Sequence, residues 1–110
     1  MKEVLMSDVS NKISKILSEN KVVLFMKGSP EAPMCGFSAR ASAILDDLGV
    51  PFFAVDVLQN PDIREGIKAY GNWPTIPQLY VEKTLVGGSD IMMEMYQAGE
   101  LQALLKSPHS

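Results

Sequence analysis

The sequence of 110 residues holds one cysteine, one histidine and one tryptophan, and these scarcities narrow its chemistry at once. A single cysteine forbids an intramolecular disulfide, so the fold rests on its core, and an unpaired thiol fits a reducing compartment. The one histidine, His109, lies in a tail expected to fray from Ser107 and is given no metal role. Basic charge is also short: ten Lys and Arg stand against thirteen Asp and Glu, a net charge of -3, which leaves no stripe for nucleic acid. No apolar run approaches the about 20 residues of a membrane helix, and Met1 to Ser10 has neither an apolar signal core nor an Arg-rich character. The reading is a bacterial cytoplasmic protein, with the mitochondrial matrix as the alternative for a chain written without its transit peptide. The length suits one domain over 1–110 with one core, and repeats and low-complexity segments are absent.

What is present is concentrated at Pro33-Met34-Cys35-Gly36-Phe37-Ser38. The apolar run Val22 to Met26 reads as a buried strand, and Lys27-Gly28-Ser29-Pro30 opens a loop. Ala41, Ile44, Leu45 and Leu48 mark the inner face of a helix ended by Gly49-Val50-Pro51. Cys35 therefore stands where a loop enters a helix, beside unsatisfied N–H groups and the positive end of the helix dipole, which favour thiolate over thiol. Such a sulfur is a nucleophile or a metal ligand. A buried structural cysteine is the competing reading, and the flanking Gly and Pro, marks of a surface loop, weigh against it.

Upstream, Ser7 or Asp8 is read as the cap of a helix with Val9, Ile13, Ile16 and Leu17 on its apolar face. Phe52 to Val57 is read as a second fully buried strand, so strand, helix and strand form a right-handed parallel unit with Cys35 on its ligand edge. Asn60-Pro61 opens a short helix with Ile63, Ile67 and Tyr70 inward and Gly71 as its stop. Gln78 to Val81 and Leu85 to Gly87 pair through Glu82-Lys83-Thr84, a turn without the usual Gly or Asn. Ser89 and Asp90 are expected to cap a helix from Ile91 to about Ala98, and after Gly99 the apolar face resumes at Leu101, Leu104 and Leu105. The order αβαβαββαα implies an α/β, thioredoxin-like outline: a four-stranded mixed sheet flanked by helices on both faces.

Three motifs then act together. Cys35-Gly36-Phe37-Ser38, preceded by Lys27 and followed by Trp73-Pro74-Thr75-Ile76-Pro77-Gln78-Leu79-Tyr80 and Gly87-Gly88-Ser89-Asp90-Ile91, resembles the single-domain monothiol glutaredoxins of the CGFS type over nearly the whole chain. The resemblance implies a thioredoxin fold that binds glutathione beside the cysteine and serves iron–sulfur cluster assembly and transfer more than general disulfide reduction. In dithiol relatives a second cysteine stands at the position of Ser38. A hydroxyl there cannot attack a disulfide at neutral pH, so a redox cycle must borrow a thiol, with glutathione as the cytosolic supply. A [2Fe–2S] centre takes four thiolate-type ligands and one chain offers one. The family's solution, implied here, is a homodimer in which two Cys35 and two glutathione sulfurs complete the set, with noncovalent glutathione leaving the cluster labile. Iron–sulfur recipient proteins and a BolA-like protein are the further partners implied.

The same resemblance assigns the glutathione site to Lys27, Arg64, Thr75, Ile76, Pro77, Gly88, Ser89 and Asp90. Lys27 would lower the thiol pKa and bind a glutathione carboxylate, where alone it would read as a solvated lysine. Thr75-Ile76-Pro77 is expected to carry a cis peptide before Pro77 and turn the Ile76 backbone toward an extended peptide ligand. Gly88, Ser89 and Asp90 would offer N–H groups and a carboxylate to the γ-glutamyl end. Arg64 would reach the glycyl carboxylate, with Lys68 one turn on as the alternative. Trp73 is read as packing under the Thr75 loop, Phe37 as a cover for the cluster or a filler of the loop, and Met92, Met93 and Met95 as core filler. Met34 departs from the family, where a polar or basic residue commonly precedes the cysteine. The leading function is a cluster carrier; the second is an oxidoreductase that removes glutathione from protein mixed disulfides with one cysteine. A binding module without chemistry would leave Cys35, Lys27, Thr75 and Asp90 a coincidence.

Overall fold

The unbroken apolar run at Val22–Met26 makes β1 the strand around which the others assemble, because side chains on both of its faces are buried. Its alternation feeds two cores. Val23 and Phe25 face one cluster with residues of α1 (Lys2–Glu19) and α3 (Pro61–Gly71), while Val22, Leu24 and Met26 face the other. That second cluster draws on α2 (Gly36–Asp47), α4 (Ser89–Gln97) and α5 (Glu100–Lys106). The sheet runs β2-β1-β3-β4, where β2 is Phe53–Asp56, β3 Gln78–Val81 and β4 Thr84–Gly87; β1 and β2 are parallel and the other pairs antiparallel. This is the expected element order, seen in a computed structural model that describes residues 2–106, with side chains from Asp8 onward. The tail from Ser107 and His109 lie outside the described residues. Among the described residues no helix is long and apolar enough to cross a membrane.

Five local readings need correction. The first helix begins at Lys2, so Ser7 and Asp8 lie within it rather than at its cap; Lys2 to Met6 contains no helix breaker to hold the start back. The second strand is shorter, Phe53–Asp56, and is not fully buried: Phe53 is 46% exposed and only Val55 is buried, since β2 lies at the sheet edge. Tyr70 is 40% exposed and leans edge-on against Tyr80, with ring centroids 6.4 Å apart. The hairpin turn has two residues, Glu82 and Lys83, and Thr84 already pairs with Val81. Both turn residues take positive φ, 49° and 71°, the primed geometry that fits the strand twist and that Gly or Asn usually supplies. At α4 the N-cap is Gly88, and Ser89 and Asp90 occupy the first turn. The methionine reading agrees with the structure: Met92 is fully buried, and Met93 and Met95 pack, partly buried, against the second core cluster.

Candidate functional site

The carboxyl end of β1, the amino end of β3 and the carboxyl end of β4 meet at one end of the sheet, where the loops leading to α2 and α4 also arrive. They enclose an open cleft of about 510 Å³ with four walls. Lys27, Cys35 and Phe37 form the first, Arg64 and Lys68 the second, Trp73 to Pro77 the third, and Gly88 to Ile91 the fourth. Every residue expected at the ligand site, Lys27, Cys35, Arg64, Thr75, Ile76, Pro77, Gly88, Ser89 and Asp90, lines this cleft, and so does Lys68.

Cys35 is the N-cap residue of α2, with extended φ and ψ of −159° and 137°, and its side chain is half-buried. The backbone N–H of Ser38 holds the thiol below its ordinary range most strongly; burial opposes it, and the Phe37 N–H, the Lys27 charge and the Ser38 hydroxyl reinforce it. Ser38 is fully buried, and its Oγ accepts the backbone N–H of Lys27 at 3.0 Å. The Lys27 carbonyl in turn accepts the Met34 N–H at 2.9 Å. The next residue, Gly28, donates its N–H to Asp56 Oδ1 at 3.0 Å, and the same oxygen accepts from Leu58 at 2.9 Å. The Ser38 hydroxyl therefore fixes the backbone of the lysine beside Cys35. A Ser38→Ala variant is expected to raise the Cys35 pKa, seen as an upward shift in the pH midpoint of iodoacetamide alkylation. It should also lose about 1–3 kcal/mol of stability, because the Lys27 N–H is left without its acceptor.

The Ile76-Pro77 peptide bond is cis, as expected. Trp73, read as packing under the Thr75 loop, also lines the cleft. Its indole forms part of the third wall, and Nε1 is buried without a hydrogen-bond partner among the described residues. Gly88 lies against it: a Cβ there would meet the Pro77 carbonyl at 3.2 Å and Trp73 Nε1 at 3.4 Å, so the fourth wall approaches by backbone. In the second wall Lys68 pairs with Glu65 at 3.6 Å, whereas Arg64 Nε is buried with no partner among the described residues. Phe37 is 57% exposed, its ring lining the cleft beside the thiol, and Met34 is 68% exposed. Among the described residues no group of three or more His, Cys, Asp or Glu converges in a way that could hold a metal ion. The wall roles of Trp73 and Ile91 had no signal in residue type or spacing.

The family model for glutaredoxin matches residues 22–86, from the first residue of β1 into β4. A curated relative, Glutaredoxin 4 of Haemophilus influenzae, is 61% identical over 95 residues, covering 86% of this chain and 89% of its own. The chain belongs to the glutaredoxin family. With one cysteine it is a monothiol glutaredoxin, and an uncharacterized monothiol glutaredoxin of Synechocystis is 55% identical over 86% of this chain and 89% of that one. The fold of this glutaredoxin superposes on the crystal structure of a buckwheat glutaredoxin–glutathione complex with a TM-score of 0.83, covering 94% of this chain and 92% of the other at 23% identity. The four-stranded mixed sheet and its flanking helices are thus those of the glutaredoxin and thioredoxin fold.

Proposed function

We propose that this glutaredoxin holds glutathione in the cleft with its sulfur beside Cys35 and, as a homodimer, carries a labile [2Fe–2S] cluster for delivery to iron–sulfur proteins. The observation that carries the reading is the charge layout of the cleft. Lys27, Arg64 and Lys68 bring three cations to two walls, and Asp90 brings a carboxylate to the start of α4. Glutathione bears two carboxylates and one ammonium. Lys27 and the unpartnered Nε of Arg64 suit the glycyl carboxylate, while Asp90 and the first N–H groups of α4 suit the γ-glutamyl ammonium and carboxylate. The Ile76 backbone, between them, suits the peptide portion.

The donor set suits a cluster shared between two chains. One thiolate per chain cannot satisfy four ligand positions, and no group of three or more His, Cys, Asp or Glu that could hold a metal ion exists among the described residues. Two Cys35 and two glutathione sulfurs supply the four, and exposed Met34 and Phe37 give the thiol an apolar rim against a second copy. A bacterial cytoplasm, reducing and stocked with glutathione, suits this reading, with recipient apoproteins and a BolA-like protein as partners. The lowered pKa and half-exposure of Cys35 also favour a second activity. The thiolate attacks the glutathione sulfur of a protein mixed disulfide and expels the protein thiolate; a second glutathione thiolate then attacks the Cys35 mixed disulfide, releasing oxidised glutathione and restoring Cys35.

Anaerobic reconstitution with iron, sulfide and glutathione, followed by absorption spectroscopy and size exclusion, tests the first reading. A coloured dimer that fails to form without glutathione is expected. Lys27→Ala should weaken glutathione binding about tenfold or more and cut dimer colour in step. Lost glutathione binding with undiminished colour would overturn the site assignment, and a colourless monomer that removes glutathione from mixed disulfides would make the second activity the main one.

A further inference from the structure

Near the cleft, one fully buried carboxamide does not line it. Gln78, the first residue of β3, is fully buried and shares a sheet face with Tyr80 two residues on. Its carboxamide is spent on one loop. Nε2 donates to the Trp73 carbonyl at 2.9 Å and to the Thr75 carbonyl at 3.2 Å, and Oε1 accepts the Tyr80 hydroxyl at 3.1 Å. The loop from Trp73 to Pro77 needs such a donor, because Pro74 and Pro77 bring no N–H of their own and inward-facing carbonyls must be satisfied from elsewhere. Space is kept for the pair at the end of α3. A Cβ at Gly71 would collide with the Tyr80 hydroxyl and come within 3.1 Å of Gln78 Oε1.

We infer that Gln78, steadied by Tyr80, is the positioning residue of the Trp73-to-Pro77 wall: by holding two carbonyls from the core side it sets the loop edge that faces the cleft and thereby the affinity for ligand. The ligand clause rests on the glutathione reading above; the loop clause does not. A hydrocarbon of equal volume would fill the space and donate nothing. Glutamate is a sharper probe, because it keeps the shape and reverses the bond. As a carboxylate it aims lone pairs at two carbonyls, and as a carboxylic acid it donates to one of them. Burial and the carbonyls raise the pKa of such a group, while its hydrogen-bonded neighbour Tyr80 is itself pushed up to about 12 by burial and stays neutral throughout.

The chain's single tryptophan lies in the loop, so acrylamide quenching of Trp73 reads the wall directly. Affinity is read by NMR titration with S-methylglutathione, which has no free thiol. Between about pH 5 and 8, wild-type quenching is expected to stay flat. Gln78→Glu should come nearest to wild type at the acid end, where one of the two carbonyls is still held; toward the alkaline end its quenching should rise several-fold and its dissociation constant for S-methylglutathione about tenfold. Tyr80→Phe keeps the apolar core and frees Gln78 Oε1, and should raise quenching about twofold. Equal quenching in Gln78→Glu and wild type at both ends of the range, with the circular dichroism of a folded chain, overturns the inference. If Gln78→Glu unfolds at the alkaline end, Tyr80→Phe decides, and unchanged quenching there overturns it equally. Should wild type take up no S-methylglutathione, the glutathione reading falls while quenching still decides the loop.

Discussion

A Cys35→Ser variant is expected to fold as wild type and to lose both proposed activities entirely: no coloured dimer on reconstitution and no release of glutathione from mixed-disulfide substrates. The substitution keeps a small polar group at a half-buried N-cap, so its cost in stability near neutral pH should stay within about 0.5 kcal/mol. Chemistry has no such tolerance. A serine hydroxyl does not ionise near neutral pH, and the neighbours that favour a thiolate, led by the Ser38 N–H, cannot lower an alcohol far enough to ligate iron or attack sulfur. The comparison also exposes a linkage. Because the Cys35 thiol is held below its ordinary value of 9.0, the folded protein releases that proton before the unfolded chain does. The resulting stabilisation is complete above the ordinary value and is lost as pH falls through the folded value, so stability rises with pH across that window. Urea titrations over this range should show the slope in wild type and not in Cys35→Ser. A serine variant that still formed a coloured dimer would show that iron has another ligand.

Gly28→Ala should be the most damaging conservative change in the loop. Gly28 has φ of +87°, and a Cβ there would meet the Ala32 carbonyl oxygen at 2.5 Å and the Met34 N at 2.7 Å. Those are backbone atoms of the turn that carries Cys35, already tied to residue 27 by the Met34 N–H and to Asp56 by the Gly28 N–H. They cannot rotate away as a side-chain end would. The expected cost is about 3 kcal/mol, from unfavourable φ and overlap together, and a fall of roughly 10–20 °C in the unfolding midpoint. The alkylation midpoint of Cys35 should move upward with it, since Lys27 and the α2 amides lose their placement. Gly36→Ala is the contrast: nothing lies within 4 Å of a Cβ at that first helical position, so its stability should hold or rise. If Gly28→Ala melted with wild type, the close approach at Gly28 would not be what holds the cysteine loop.

These two glycines show what residue patterns can and cannot convey. The strand at Val22–Met26 and the helices on either side were legible because burial imposes an apolar run or a helical period on the residues themselves. The burial of Phe52 to Val57 was overread, because a strand's apolar run does not say whether one neighbour strand or two will flank it. The start of α1 was hidden by the absence of any breaker, and the hairpin turn by Glu and Lys in a backbone region they rarely occupy. At the cleft, the cysteine motif, the Thr75 loop and Gly88 to Asp90 were legible by resemblance to a family. The choice between Arg64 and Lys68 depends on Glu65 lying within reach of Lys68, which spacing alone left open. Gln78 was invisible as a positioning residue, since a glutamine at a strand start reads as an ordinary polar edge.

The sheet divides the interior into two separate cores, one under α1 and α3 and the other under α2, α4 and α5. Arg64 and Lys68 belong to the first layer, and Cys35 and Asp90 to elements of the second, so the cleft draws on both. A ligand bound there acts as a clasp across the sheet edge, coupling two halves that lie on opposite faces of the sheet. Fluctuations that open one layer against the other are the ones such a clasp suppresses, and occupancy of the cleft becomes a brake on partial unfolding of the whole molecule.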